Sequence, residues 1–399
     1  MEQLAKVVPE FEAELRGNIL PFWMKHMVDD QNGGFYGQMT GDKEIIPDAP
    51  KGAIMYARIL WTFSSAYRLL GNEEYLTTAE RAKDYLLSHF YDREFGGIYW
   101  SLTSEGQPLD TKKQIYALGF AIYGLSEYYR ATNNDEALAY AVKLFEDIER
   151  HSFDSKNKGY VEALARDWSG LEDVRLSTKD ANEKKTMNTH LHILEPYTKL
   201  YRIWKDEGLK QQLAGLIEIF LEKIKSPETH HLGLFFDEEW NLKSTEISYG
   251  HDIEASWLLL EAALAIEDDE LIEKVKEQAR VIGEAAMEGL LPDGSMAYEK
   301  HGDGRMDTER HWWVQAEAVV GQMWLYKYQK DDKYLTSMLH TWQYIKDNLI
   351  DYAGREWFWS VREDGTVNHT NDKAGFWKCP YHNGRMCIEV ISAGKEGST

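Results

Sequence analysis

The 399-residue chain is predicted to be an all-α protein, an (α/α)6 barrel of six inner and six outer helices with short glycine-turn strands at one rim. Three observations predict this fold. A turn with a glycine followed by an aromatic residue recurs six times. The apolar residues between the turns follow helical spacing, and helices with a charged face alternate with helices that are apolar nearly all round.

The repeated turn sets the length of the unit. It occurs as "NGGFYG", "FGGIYW", "NKGYVE", "HLGLFFD", "PDGSMAY" and "AGREWFW". With Gly34, Gly97, Gly159, Gly233, Gly294 and Gly354 as reference points, the steps are 63, 62, 74, 61 and 60 residues. Each step has room for two helices and a turn, so the unit is a helical hairpin.

The two helices of each unit differ in polarity. The first, as in "NEEYLTTAERAKDYLLSHF", has a broad charged face that meets water, whereas the second, as in "HDIEASWLLLEAALAI", is apolar nearly all round and is expected to be buried. Strict alternation predicts two concentric rings. An open helical solenoid is the alternative, but six similar units without a polar capping repeat favour closure. Residues 1–399 are therefore interpreted as one catalytic domain.

The longest step contains an insertion. The segment "VEALARDWSGLEDVRLSTKDANEKKT" follows Gly159 and precedes the helix that begins near Met187. Long loops in compact domains are commonly lids or binding loops, and a disordered segment is the alternative.

Composition excludes several classes of partner. The formal net charge of -22 would repel phosphate backbones and anionic membrane surfaces, so neither nucleic acid nor membrane is an expected partner. Only two cysteines occur, Cys379 and Cys387, and a reducing compartment is the simpler interpretation. The N-terminus lacks the pattern of a signal peptide, and no window approaches 18 uncharged apolar residues. These features predict a cytoplasmic protein.

Unusual polar and aromatic residues gather in the first two turns of the predicted inner helices. If these helices all run in one direction, their N-terminal ends line one mouth of the barrel and form a polar cup there. In "MNTHLHILEPY", helical phase places His192 with Asn188 and Glu195, opposite the apolar arc that contains His190. The residues of the predicted cup are Arg58, Tyr116, Asn188, His192, His251, Glu254, Trp312, Trp313, His382 and Arg385.

Two kinds of chemistry fit this cup. His251 and Glu254 could be metal ligands with His192 or His382 as the third. However, neither HExxH nor HxxEH is present, because Ala255 follows Glu254, so no metal is assigned. Acid-base chemistry requires fewer residues in a defined spacing, because a glutamate one turn from a histidine can accept its ring N–H and raise the pKa of the histidine. A purely structural ion pair is the alternative.

Aromatic residues at the same level indicate the ligand. Tyr116, Trp312, Trp313 and Trp377 offer flat apolar faces beside hydrogen-bonding groups, a combination that suits the C–H faces and hydroxyls of a sugar. The chain has no phosphate-cradling glycine loop and no GxGxxG fingerprint, so a neutral carbohydrate is favoured over a nucleotide.

Four segments carry a resemblance to a known family: "GFWKCPYHNGRMC", "MNTHLHILEPY", "SYGHDIEASWLLLEA" and "RHWWVQAEAV". In these segments, and over essentially its whole length, the chain resembles the N-acylglucosamine 2-epimerase superfamily, and most closely the cellobiose 2-epimerases within it. The resemblance implies an (α/α)6 barrel that uses no metal or redox cofactor.

The resemblance also implies roles for individual residues. His251 and His382 would be the general acid-base pair at C2 of the sugar, with Glu254 supporting His251. His192 would assist ring opening, and Arg58 would bind the oxygens of the carbonyl and enediolate. The implied substrate-binding residues are Tyr116, Asn188, Asp180, Trp377 and the pair Trp312 and Trp313, of which either could stack on the sugar.

The expected function is epimerisation at C2 of the reducing-end aldose of a β-1,4-linked disaccharide. Aldose-ketose isomerisation of the mannose isomerase type and 2-epimerisation of an N-acylated monosaccharide stay open as alternatives. A glycoside hydrolase would need two carboxylates flanking the scissile bond, and a non-catalytic sugar-binding protein would not need three histidines. By resemblance, the protein is expected to be a monomer.

Overall fold

The computed structural model describes residues 2–396, and its framework is thirteen α-helices. In chain order they are α1 (Glu2–Glu14), α2 (Leu20–His26), α3 (Ala53–Leu70), α4 (Glu73–Tyr85), α5 (Ile115–Thr132), α6 (Asp135–His151), α7 (Met187–Ile203), α8 (Glu207–Ile219), α9 (Tyr249–Ile266), α10 (Asp269–Ala286), α11 (Trp312–Gln329), α12 (Asp332–Asn348) and α13 (Tyr381–Glu396). A π-helical turn, Leu15–Ile19, joins α1 to α2.

The helices form two rings. The odd-numbered helices from α3 to α13 each pack against the next, and α13 packs against both α11 and α3, so the inner ring is closed. Around it, α4, α6, α8 and α10 each contact the inner helices before and after them, α12 contacts α11, and α1 contacts α13. Among the described residues, no helix is both long and apolar enough to cross a membrane. The predicted (α/α)6 barrel is confirmed.

Capping residues explain where the helices stop and start. Four inner helices end at a left-handed residue, which closes the last turn, and outer helices begin at an Asn or Asp whose side chain accepts an early backbone N–H. The left-handed residues are Gly71, Asn133, Glu267 and Lys330, and the N-caps are Asn72, Asn134, Asp206, Asp268 and Asp331.

Short strands lie at the rim where the inner helices begin. The strands are β1 (Lys51–Gly52), β2 (Ser101–Leu102), β3 (Pro108–Asp110), β4 (Lys113–Gln114), β5 (Ala163–Leu164), β6 (Lys185–Thr186), β7 (Phe235–Phe236), β8 (Ile247–Ser248), β9 (Glu299–Lys300), β10 (Met306–Asp307), β11 (Arg310–His311) and β12 (Ser360–Val361). All of their pairings are antiparallel, in the orders β1-β2-β3, β4-β5, β6-β7, β10-β9-β8 and β11-β12. Five of these strands run directly into an inner helix, as the predicted rim requires.

The repeated turn is closed by one antiparallel bridge in each of the six units. The bridged pairs are Val28 with Phe35, Tyr91 with Ile98, Phe153 with Tyr160, Lys225 with Leu232, Leu290 with Met296, and Ile350 with Trp357. In the first three turns, a glycine at positive φ precedes the second bridged residue: Gly34 at 65°, Gly97 at 69° and Gly159 at 82°.

Three of the glycines used as reference points in the sequence are not the equivalent residues. In the fifth turn, Ser295 precedes the second bridged residue, so Gly294 lies one position away. In the fourth and sixth turns, His231 and Glu356 precede the second bridged residue, so Gly233 and Gly354 each lie two positions away. Glu356 holds φ at 59°, an unfavourable value for a residue with a side chain. Its buried carboxylate accepts hydrogen bonds from Lys378 and from Asn383 of α13, which offsets that cost.

Buried ion pairs connect the turns to the segments that precede the inner helices. In four units, an aspartate at the start of the turn accepts from a lysine that lies shortly before the next inner helix. The pairs are Asp29–Lys51 at 2.9 Å, and Asp92–Lys113, Asp154–Lys185 and Asp351–Lys373 at 2.8 Å. A charge pair removed from water favours one geometry, so these bonds hold the rim in register.

The insertion after β5 is an ordered loop over residues 165–184. The side-chain amide of Gln114 donates to the carbonyls of Val174 and Arg175 at 3.2 and 2.8 Å. The indole N–H of Trp168 donates to the carbonyl of Phe95 at 2.8 Å. The loop is therefore ordered and tied to the barrel rim, unlike the disordered segment of the alternative, and its role in binding stays a prediction.

We expect Lys51→Met to destabilise the protein by about 3–5 kcal/mol, because it leaves the fully buried carboxylate of Asp29 without its lysine partner. Urea unfolding followed by tryptophan fluorescence measures the change. The matched control is Lys346→Met, which removes a partly exposed pair with Glu10 and should cost less than about 1 kcal/mol. Equal losses in the two variants would contradict a structural role for the buried pair.

Candidate active site

The predicted cup exists at the mouth where the inner helices begin. Arg385 is its centre: the guanidinium is fully buried and donates from Nη2 to Glu254 Oε1 and Glu317 Oε1, each at 2.6 Å. Its Nη1 donates to the carboxylate of Glu195 and contacts the hydroxyl of Tyr381. One cation on α13 thereby connects carboxylates from α7, α9 and α11.

His382 is oriented by Glu317. Its Nδ1 lies 2.7 Å from Glu317 Oε1, so Nδ1 carries the proton that the carboxylate accepts and Nε2 is left as the basic nitrogen. The second oxygen of Glu317 accepts the indole N–H of Trp257 at 3.1 Å. Burial lowers the pKa of His382 well below its usual value, and the positive charges of Arg58 and Arg385 lower it further.

His192 has an equivalent partner in Glu195, one turn further along α7. The distance from His192 Nδ1 to Glu195 Oε2 is 3.0 Å, and His192 Nε2 lies 4.0 Å from Glu254 Oε2. Burial alone would raise the pKa of Glu195, but the charge of Arg385 and the bond to His192 bring it down to about 2. Burial lowers the pKa of the His192 imidazole. His192 therefore faces the cup, as its helical phase predicts.

His190 has the packing role expected of it. It is fully buried, its Nε2 accepts the backbone N–H of Tyr160 at 2.9 Å, and its Nδ1 lies 2.7 Å from the carbonyl of Thr186. Both ring nitrogens are occupied by the protein backbone, so His190 is unsuited to acid-base chemistry.

The expected hydrogen bond between His251 and Glu254 is not the contact that forms. His251 Nδ1 lies 2.7 Å from the Ser248 hydroxyl, and Glu254 is bonded to Arg385 instead. The sequence prediction was wrong here because spacing along one helix brings two residues near each other without deciding which distant charge each will meet. Burial lowers the pKa of His251 to about 3, and the neighbouring His192 also lowers it.

Glu254 keeps one oxygen unpartnered. Oε2 accepts no hydrogen bond from the described residues, although the side chain is buried. Burial raises the pKa of Glu254 well above its usual value, and the negative charge of Glu317 raises it further. A glutamic acid in this position can donate a proton toward the cup.

Arg58 and Tyr116 lie together on the adjacent wall. Arg58 Nη2 donates to the hydroxyl of Tyr116 at 2.8 Å, and Nη1 donates to the carbonyl of Trp377 at 3.3 Å. The Arg58 Nε–H is buried without a partner among the described residues. The Trp377 ring is partly exposed and meets the ring of Tyr116 edge-on at 6.0 Å.

The two neighbouring tryptophans of α11 have different surroundings. Trp313 is partly exposed, and its ring centre lies 4.8 Å from that of His251 and 5.6 Å from that of His382. Trp312 is only 4% exposed and packs on Trp359 at 4.5 Å. Trp313 is therefore the member of the pair that faces the cup.

The remaining two candidates are Asn188 and Asp180. Asn188 is the second residue of α7, is partly exposed, and has an Oδ1 without a partner in the described structure. Asp180 belongs to the loop at 165–184, where its Oδ2 accepts the backbone N–H of Ser177 at 2.9 Å. Burial raises the pKa of Asp180.

The carboxylates of the cup also bear on metal binding. Glu254, Glu317 and His382 each offer a ligand atom, and these atoms lie within 4.8 Å of one another. These groups already have a cationic partner in the protein, because Arg385 Nη2 donates to both carboxylates and His382 is hydrogen-bonded to Glu317. The chemistry that these groups support without a further ligand is proton transfer.

Glu317 was not singled out from the sequence. It lies in the quoted segment "RHWWVQAEAV", in the second turn of a helix that is otherwise apolar. A carboxylate at this position in a buried helix was the available signal, of the same kind that identified Glu254. Its partner His382 is 65 residues away, a pairing that spacing does not reveal.

We expect His251 to stay neutral from about pH 5 to pH 8 while His231 holds its proton to higher pH. Burial opposes the charge on His231, but the bonds to Asp252 and Glu288 outweigh it and raise its pKa, whereas burial lowers the pKa of His251 to about 3. Ring nitrogen shifts of the histidine-labelled protein, assigned with His251→Asn, measure both. Titration of His251 near pH 6.5 would contradict the burial argument.

The pKa shifts of His251 and His231 make opposite contributions to the pH dependence of folding stability. The unfolded chain protonates His251 near its ordinary pKa of about 6.5, whereas the folded protein does not, so folding stability falls as the pH drops from 6.5 toward 3. His231 does the reverse: its contribution is fully present below the unfolded value and is lost as the pH rises through its raised pKa.

Comparison with known proteins agrees with this geometry. A cellobiose 2-epimerase of Bacteroides fragilis is 59% identical over 392 residues, which is 98% of this chain and 100% of that protein. The solved structure of a cellobiose 2-epimerase from Bacillus thermoamylovorans superposes with a TM-score of 0.94 at 42% identity, covering 97% and 99% of the two chains. A D-mannose isomerase structure shares the fold, with a TM-score of 0.85 at 20% identity over 96% of this chain and 98% of that one. The model of the N-acylglucosamine 2-epimerase family matches residues 34–384, and the chain belongs to that family.

Proposed function

We propose that this enzyme is a cellobiose 2-epimerase, which inverts C2 of the reducing-end aldose of β-1,4-linked disaccharides. The observation that carries the proposal is that His251 and His382 both lie beside the partly exposed Trp313, with ring centres 4.8 and 5.6 Å from its own. Two histidines held neutral by burial are suited to proton transfer in both directions. The relatives at 59% and 42% identity bear the same activity in their names.

Ring opening comes first, because only the free aldehyde acidifies the proton at C2. His192 is the group proposed for this step: its Nδ1–H is held by Glu195, and its Nε2 is free to take the proton of the O1 hydroxyl and deliver it to O5 as the C1–O5 bond breaks. Glu254, 4.0 Å from that Nε2 and with a raised pKa, is placed to exchange a proton with His192.

Epimerisation then proceeds by proton transfer at carbon. One of the two histidines removes the proton from C2, and the electron pair of the C–H bond moves into an enediolate with negative charge on O1. The guanidinium of Arg58, which keeps an unpartnered N–H, stabilises that charge. The same base then returns that proton to C2 on the opposite face after rotation about C2–C3. In the alternative route, the other histidine first takes up a proton from solvent and gives it to C2 on the opposite face, and the first histidine releases the C2 proton to solvent. Neither route requires a cofactor.

The remaining side chains supply the sugar platform. Trp313 and Trp377 are the partly exposed aromatic rings proposed to stack on the two sugar units, and Tyr116 and Asn188 are proposed to hold hydroxyls. Asp180, on the ordered loop, is proposed as a further contact. Trp312 is proposed to support the wall behind Trp313, since it is buried against Trp359.

Hydrolysis and aldose-ketose isomerisation are the rival functions. Hydrolysis needs two carboxylates beside an open space, whereas Glu195, Glu254 and Glu317 are at most 1% exposed and bonded to one arginine. Aldose-ketose isomerisation uses the same groups and differs in returning the proton to C1.

We also propose that the enzyme is a single catalytic domain, that it acts as a monomer and that it is cytoplasmic.

Incubation with cellobiose in D2O, followed by proton NMR, tests the function. We expect the signals of a mannose-type reducing end, with deuterium at C2, since the exchanged proton passes through a histidine in contact with solvent. Release of free glucose would establish hydrolysis instead. Accumulation of a ketose alone would establish an isomerase.

His251→Asn and His382→Asn should each lower kcat by about 10²–10⁴-fold. Both substitutions keep a polar side chain but remove the base. The control is His340→Asn on the outer helix α12, which should leave kcat unchanged. A pair of variants that exchange C2 deuterium at the wild-type rate would exclude these histidines from the reaction.

Glu317→Gln should lower kcat by about 10²-fold or more, with little change in KM. The substitution preserves shape but replaces the carboxylate that fixes the His382 tautomer, and Glu317 itself is fully buried. A shifted pH profile of kcat distinguishes this positioning role from general loss of structure. Glu277→Gln, on the exposed face of α10, is the matched control; equal losses in the two variants would contradict the role.

A further inference from the structure

A second cavity lies at the opposite end of the barrel. It has a volume of about 410 Å³ and is lined by residues from the C-terminal halves of all six inner helices. An aromatic layer separates it from the candidate active site: Trp61 lines the cavity, stacks on Tyr123 at 5.0 Å and meets Tyr381 edge-on at 5.8 Å. The cavity is therefore a separate space that none of the roles above uses.

The lining of this cavity carries a surplus of positive charge. Arg68 and Arg130 share the carboxylate of Glu127, at 2.6 and 2.8 Å. Lys199 and Arg202 likewise share Glu261, at 2.5 and 3.2 Å. With Lys327 and Glu389, the described residues of the lining include five basic and three acidic side chains, in a chain whose net charge is -22. Such a local reversal of sign attracts anions.

Buried polar atoms with no protein partner also line the cavity. The indole N–H groups of Trp61 and Trp324 donate to no described residue, although the two side chains are only 2% and 8% exposed. Glu261 Oε2 is unpartnered as well. Buried donors and acceptors are nearly always hydrogen-bonded, so these atoms call for a polar occupant. The helix dipoles account for basic residues at the C-terminal ends but not for unpartnered indole N–H groups.

We propose that the cavity binds a small hydroxylated anion, of the class of a sugar acid or a sugar phosphate. Arginine side chains bind carboxylate and phosphate oxygens in pairs, while the indole N–H groups and Glu261 Oε2 match hydroxyls. The rings of Trp61 and Trp324 suit the C–H faces of a sugar. The volume lies within the range of small-molecule sites, roughly 300–1,000 Å³.

The cavity and the cup are built on the same inner helices. On three inner helices, a cavity residue follows a cup residue by three or four positions, which is one helical turn. The pairs are Arg58 with Trp61, Glu195 with Lys199, and Arg385 with Glu389. A ligand in the cavity therefore contacts the same helices that hold the acid-base groups.

Isothermal titration calorimetry with gluconate and with glucose 6-phosphate tests the proposal, with uncharged glucose as the comparison. We expect at least one anion to bind with one site per chain and at least tenfold more tightly than glucose. Binding of gluconate alone identifies a carboxylate site, and binding of glucose 6-phosphate alone identifies a phosphate site. Failure of both anions to bind more tightly than glucose would overturn the proposal.

Variants locate the binding. Arg68→Gln combined with Arg202→Gln should raise the anion Kd at least tenfold. The matched double variant Arg93→Gln with Arg305→Gln changes two exposed arginines that do not line the cavity, and should leave the Kd unchanged. Trp324→Phe keeps a ring and removes the N–H, and should raise the Kd at least threefold even where the charge variant unfolds. An unchanged Kd in Trp324→Phe and in any folded charge variant would place the anion elsewhere and overturn the proposal.

Discussion

The buried guanidinium of Arg385 is the interaction on which the rest of the site depends. Removing a charge from water costs several kcal/mol, and here Glu195, Glu254 and Glu317 offset that cost by accepting its hydrogen bonds. These bonds connect α13, the last inner helix, to three others. Two of the carboxylates in turn bond His192 and His382, so the orientation of both imidazoles follows from one cation.

Charge balance at this centre explains the protonation states. Three carboxylates face Arg385, and Arg58 on the adjacent wall is the other cation of the cup, so full ionisation would leave an excess negative charge. Burial and the charge of Glu317 raise the pKa of Glu254, which makes it the carboxyl that holds a proton. Burial and the two arginines keep His382 neutral. The cup can thus hold a mobile proton beside unprotonated bases.

The helices and the barrel were predictable because their signals are local and repeated: apolar spacing and turns recur in every unit. Pairings across the barrel were not. Glu254 and His251 lie one turn apart, yet Arg385, 131 residues away, is the partner of Glu254. The repeated turn shows the same limit. Glu356 has a positive φ, a backbone conformation that glycine was expected to supply in each turn. Hydrogen bonds to its carboxylate, which only the folded chain brings together, offset the cost of that conformation.

The parallel direction of the inner helices also accounts for the different character of the two mouths. Helix N-termini carry partial positive charge and favour carboxylates, whereas C-termini carry partial negative charge and favour cations. Glu254 and Glu317 lie in the first two turns of their helices, while Arg68, Arg130 and Arg202 lie in the last turns of theirs. Six aligned dipoles thus favour acidic groups at one mouth and basic groups at the other, although Arg58 and Arg385 lie at the first and Glu127, Glu261 and Glu389 lie at the second. A strongly acidic chain can therefore maintain a basic cavity one aromatic layer away from a cluster of carboxylates.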